Sequence, residues 1–126
     1  MNLRNLFTLN LIFAIFFGIS CSLFPVWVLQ LYGLASTDAA IWTTRLVGGS
    51  ILGFASLMWF GRKSDSQGTR RAIAIALLIQ DVVGLLASIE LQLTGSVNTF
   101  GWSSIVLYGF LSIAYVYFLT LGRQQS

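Results

Sequence analysis

AAIWTTRLVGGSILGFASLMWF (residues 39–60), GRKSDSQGTRR (61–71) and AIAIALLIQDVVGLLASIELQL (72–93) decide the fold of this chain. Two apolar runs flank a short polar segment that concentrates four basic residues, Arg62, Lys63, Arg70 and Arg71. At about 1.5 Å rise per residue each run makes a helix of roughly 33 Å, enough to cross a hydrocarbon core of about 30 Å. The pattern predicts two antiparallel membrane-spanning helices joined by a polar loop.

Residues 6–24 and 102–121 repeat the pattern on either side. The four runs 6–24, 39–60, 72–93 and 102–121 leave almost nothing for a soluble domain. We expect an all-α polytopic membrane protein, a single domain over residues 1–126 built as a four-transmembrane-helix bundle. Composition agrees: 56% of residues are hydrophobic and 9% charged, against about 25% charged in soluble domains. The mean hydropathy is +0.83.

The net charge of +3 reports orientation through its distribution. Six of the seven basic residues fall in alternating segments: Arg4, then Arg62, Lys63, Arg70 and Arg71, then Arg123. The connections 25–38 and 94–101 carry none. By the positive-inside rule both termini and the central loop are cytoplasmic. Trp27, Trp42 and Trp102 then lie at the opposite interface, and Trp59, Tyr115 and Tyr117 near the cytoplasmic one, as an aromatic belt. The basic loop could also bind anionic headgroups at about 1 kcal/mol per residue. Membrane lipids are expected partners; nucleic acid is not.

The start of the chain resembles a lipoprotein signal, with Arg4, an apolar run and Gly18-Ile19-Ser20-Cys21, in which Cys21 would become acylated. Gly18 stands where such signals favour Leu, so we expect a retained helix. As the only cysteine, Cys21 can form no internal disulfide or dithiol pair and reads as a small buried hydrophobe. Residues 26–33, after Pro25, read as a short interfacial segment ending in a Gly33 C-cap. Ser36, Thr37 and Asp38 offer N-cap acceptors for the second long helix, residues 61–71 a flexible loop, and Asn98 a cap for the last helix.

Each run carries a small or polar stripe at helical spacing: Asn10, Ala14, Gly18 and Cys21; Arg45, Gly49, Leu52 or Gly53, and Ser56; Asp81, Gly84, Ser88 and Gln92; Gly101, Ser104, Tyr108, Ser112 and Tyr115. Small residues let backbones approach, which drives association where water is absent. Gly18, Gly49, Gly53 and Gly84 are therefore the expected packing positions, and the G-x-x-x-G of Gly49 and Gly53 could alternatively serve dimerisation.

Arg45, Asp81 and Glu90 lie within apolar runs, where a charge costs about 2.5–3.5 kcal/mol at the bilayer centre. Pairing the second and third runs antiparallel sets Arg45 level with about Ala87, with Glu90 roughly 4.5 Å further out and Asp81 roughly 9 Å deeper. Depth ranks an Arg45–Glu90 pair first. The helical wheel puts Asp81 on the Gly84/Ser88 stripe and keeps Arg45–Asp81 open. Arg45 and Glu90 could instead snorkel to the interface. Asp81 is too deep for that, and must be paired, protonated, or in contact with a polar ligand or subunit.

Leu31-Tyr32-Gly33-Leu34, Arg45-Leu46-Val47-Gly48-Gly49, and Leu93-Thr94-Gly95 leading to Gly101-Trp102 resemble the small four-helix bacterial membrane proteins grouped as DoxX-like. That resemblance implies a four-helix bundle without an active site of its own, in some cases an accessory subunit or assembly factor of a membrane enzyme. The chain lacks the paired cysteines of relatives that do redox work.

No histidine and one cysteine remove the ordinary nucleophilic, metal and His-ligated haem or chlorophyll routes. We expect no catalytic residue, no metal site and no cofactor, although a pigment or quinone held by packing stays open. The expected function is a non-enzymatic accessory or scaffolding subunit of a larger membrane complex. The alternative is a small-molecule or lipid binder, a transporter-like homo-oligomer around Asp81 and Tyr108.

Overall fold

The structure, a computed structural model, describes residues 2–120, and every long apolar run within them is helical. Five helices follow one another among the described residues: α1 (Leu3–Leu23), α2 (Pro25–Leu31), α3 (Asp38–Lys63), α4 (Gln67–Leu93) and α5 (Gly101–Thr120). Local chemistry sets their ends. The Asn2, Thr37 and Ser66 side chains accept the backbone N–H groups of Asn5, Ala40 and Thr69, capping α1, α3 and α4. Pro25 opens α2, where its missing N–H has no helical partner to lose.

Gly33 and Gly95 follow α2 and α4 at φ +73° and +74°. Each sits in a reversal in which the next residue donates back across the turn, Leu34 to Leu29 at 2.9 Å and Ser96 to Leu91 at 3.2 Å. A side chain would be strained in that left-handed conformation.

Residues 61–71 are not the flexible loop the sequence suggests. α3 runs on to Lys63 and α4 starts at Gln67, leaving residues 64–66 as the turn. Arg, Lys and Gln are good helix formers, and long basic side chains leave the apolar zone without breaking the backbone. Arg62 and Lys63 lie over the Trp59 ring at 5.2 and 4.1 Å. Arg4 reaches the turn, pairing with Asp65 at 2.9 Å, and Arg71 donates to the Leu119 carbonyl at 3.1 Å.

α1 packs along α3 and α4 along α5, while α3 and α4 share few contacts beyond the turn that joins them. The core sits at the turn end, where Leu6, Phe7, Leu11, Ala55, Met58, Leu77, Tyr115 and Phe118 close together. The outer surface stays apolar, with Ile12, Phe16, Phe60, Val83, Leu86, Val106 and Ile113 all exposed. Such a surface suits lipid rather than water.

Among the described residues α1, α4 and α5 are long and apolar enough to cross a membrane. α3 is as long, but Thr43, Thr44, Arg45, Ser50, Ser56 and four glycines lower its hydropathy below theirs. Trp27, Trp42, Trp102 and Trp59 are exposed, as is Tyr117. Tyr115 is not: it is fully buried, because its hydroxyl takes the Asn10 amide at 2.8 Å inside the core. Arg123 and the last residue of the run 102–121 lie outside the described residues.

Candidate functional site

Away from the turn the two helix pairs separate and enclose a cavity of about 290 Å³. α1 lines it with Asn10, Ala14, Phe17 and Cys21, α3 with Thr44, Val47, Ile51 and Phe54, α4 with Gln80, Asp81 and Ser88, and α5 with Ser104, Tyr108 and Leu111. α2 contributes Val28 and Leu29, and with Tyr32 it covers the end remote from the turn. That cover is tied down. The Tyr32 hydroxyl hydrogen-bonds the Ser104 hydroxyl. The Asn98 amide donates to the Leu31 carbonyl at 3.0 Å, and the Asn98 backbone N–H to the Tyr32 carbonyl at 3.0 Å. The Asn98 side chain also accepts the Phe100 N–H at 3.0 Å, shaping the approach to α5. Val47 and Leu91 line the cavity and are also exposed, which places its portal sideways between α3 and α4.

Asp81 is the one carboxylate in this lining, and it is 3% exposed. Its Oδ2 has no hydrogen-bond partner among the described residues. One turn further on, Gly84 brings α4 against the Tyr108 ring, whose nearest atom would stand 2.7 Å from a Cβ placed there. Tyr108 and Tyr115 each lie within electrostatic reach of Asp81. Among the described residues no Lys or Arg lines the cavity. Among the described residues no group of His, Cys, Asp and Glu could hold a metal ion.

Neither sequence-level ion pair forms among the described residues. Arg45 and Glu90 are exposed, whereas Asp81 turns inward on the stripe it shares with Gly84 and Ser88. Asp81 lies on the face the helical wheel gives it, but among the described residues the Arg45–Asp81 pair expected with it is absent, as is Arg45–Glu90, whose two members are both exposed. Gly18 packs as the sequence suggests, its Cβ position 2.7 Å from the Leu52 side chain and 3.3 Å from the Gly48 carbonyl oxygen.

Gly49 and Gly53 need correcting as seam residues, since among the described residues nothing lies within 4 Å of a Cβ on either. The α3 seam is instead Gly48, Leu52 and Ala55, one residue round the helix. Sequence reasoning missed Gly48 although it adjoins Gly49. The G-x-x-x-G of Gly49 and Gly53 lies on the uncovered face of α3 instead.

No family model, curated protein or solved structure matches the chain. The likeness to DoxX-like proteins therefore rests on the short motifs alone.

Proposed function

We propose that this chain is a non-enzymatic membrane protein that binds an apolar small molecule in the cavity between its helix pairs and takes it up sideways from the bilayer. The cavity with Asp81 in its wall carries this proposal, because a bundle serving only as a scaffold gains nothing from a buried carboxylate without a partner. Cavities that bind ligands are mostly apolar with a few convergent polar groups.

In this proposal α3 spans the membrane with α1, α4 and α5, making a four-span bundle in a bacterial inner membrane with both termini and the 64–66 turn on the cytoplasmic side. Arg4, Arg62, Lys63, Arg70 and Arg71 at the turn end support that orientation. The accessory or scaffolding function keeps one supporting observation, the outward α3 face of Arg45, Gly49 and Gly53, which nothing among the described residues covers.

Extraction in mild detergent followed by native mass spectrometry separates the two. The binder is expected as a monomer or homo-oligomer carrying a small molecule that the portal-filling variant Val47→Trp lacks. Recovery only within a larger complex, with no small molecule in either form, would reject it in favour of the accessory subunit.

A further inference from the structure

Resting on the cavity as a binding site, we infer that its ligand is a lipophilic ammonium ion, an apolar body bearing one protonated amine whose N–H donates to the Asp81 carboxylate. The vacant acceptor is the first reason. Asp81 is 3% exposed, lines the cavity, and leaves Oδ2 without a donor among the described residues. A buried acceptor of this kind is satisfied by something outside the chain or not at all.

Several other polar groups around the cavity are engaged within the chain. The Asn10 amide donates to the Tyr115 hydroxyl. Tyr32 pairs with Ser104, and Thr44 donates to its own helix at the Ala40 carbonyl. A ligand therefore meets one ionisable acid, Asp81, in a mostly apolar chamber whose other open polar side chains, Gln80, Ser88 and Tyr108, are neutral.

Charge decides the sign of the ligand. Arg45 faces outward and is exposed, while Arg4, Arg62, Lys63 and Arg71 are engaged at the turn end with Asp65, the Trp59 ring and the Leu119 carbonyl. Arg70 belongs to the first turn of α4, at that same end. Among the described residues no cation pairs with the Asp81 carboxylate, so an anionic head would add repulsion, and a neutral head would leave the carboxyl to be protonated to stay in a dry site. A protonated amine supplies both the donor and the counter-charge.

The walls suit it as well, since Phe17, Phe54 and Tyr108 present aromatic rings to the chamber, and ring faces attract cations. At about 290 Å³ the cavity stands at the small end of ligand pockets, which span roughly 300–1,000 Å³. That excludes a whole diacyl lipid and fits a single-chain or compact amine.

The test is equilibrium binding of labelled dodecylamine and of its neutral counterpart dodecanol to the full chain in phosphatidylcholine nanodiscs, with empty discs subtracted. The amine is expected to bind at least about tenfold more tightly than the alcohol, the worth of a charged hydrogen bond. Asp81→Asn should erase that preference while still binding the alcohol, Asp81→Glu should keep it, and Val47→Trp should abolish binding of both. Equal affinity for amine and alcohol, or a preference that survives Asp81→Asn, would overturn the ammonium assignment while leaving the cavity as a binding site, provided Val47→Trp still blocks it. No saturable binding of either probe, or binding indifferent to Val47→Trp, would overturn the cavity reading and the ammonium with it.

Discussion

Asn10 and Tyr115 make the bond that ties the first long helix to the last, 2.8 Å between two side chains that are 6% and 0% exposed. Interhelical hydrogen bonds in membranes are worth about 0.6 kcal/mol on average and about 1.7 at most. Tyr115→Phe should therefore destabilise the chain by about 1 kcal/mol and Asn10→Leu by a similar amount. The double variant should recover part of the loss, because neither orphaned partner is then left in the core. Reversible unfolding in mixed micelles, run as a double-mutant cycle, measures this; strict additivity would mean the bond contributes nothing.

Asp81 is the opposite case. A buried polar atom without a partner costs about 1–3 kcal/mol, so Asp81→Leu should raise stability, or at worst leave it unchanged, in the ligand-free protein. A fall of more than about 1 kcal/mol in the same assay would show that the carboxyl has a structural partner.

At the scale of the element, α3 shows how one helix can be read correctly in extent and wrongly in rotation. Its span follows from the apolar run and from Thr37, whose side chain caps the first turn. The face it turns to α1 depends on which glycine lets the backbones meet. A Cβ on Gly48 would come within 2.7 Å of the Ser22 backbone nitrogen and 2.9 Å of the Gly18 carbonyl oxygen, atoms that cannot step aside. Gly48→Ala should thus cost about 1–3 kcal/mol, as overpacking does. Gly49→Ala, with open space around it, should change stability by no more than about 0.5 kcal/mol, helped by the better helix propensity of Ala. Thermal unfolding of the two variants side by side decides it, and equal losses would place the seam elsewhere.

For the whole molecule the basic residues and the helix pairing make one topological prediction. Single cysteines introduced at Ser64 and Ser96 in a Cys21→Ser background should label from opposite sides of the membrane, the Ser64 position only after the cytoplasmic face is opened to the reagent. Labelling of both from the same side would remove α4 as a span. The prediction uses both turns, 64–66 after α3 and the Gly95 reversal after α4, each set by local chemistry.

Much of this architecture is legible without coordinates. Long apolar runs force helices because a backbone in lipid must satisfy its own hydrogen bonds, and Gly33, Thr37 and Asn98 announce the connections near them through their conformational and capping chemistry. The inward set of Asp81, Gly84 and Ser88 is also readable, since residues three and four apart share a helix face.

The outward rotation of Arg45 and the burial of Tyr115 against Asn10 are not readable, and neither is the cavity. Each depends on where one helix lies against another, and that is set by close contacts between residues far apart in the chain, Gly18 against Gly48 and Gly84 against Tyr108. The sequence by itself determined the long helices and their apolar surfaces, though not the ends of α3 and α4 at the 64–66 turn, because helices and surfaces follow from local hydropathy and backbone chemistry. Only the tertiary structure decided that the helices divide into two pairs and leave a chamber with one unpartnered carboxylate, because packing is a property of surfaces that meet across the fold.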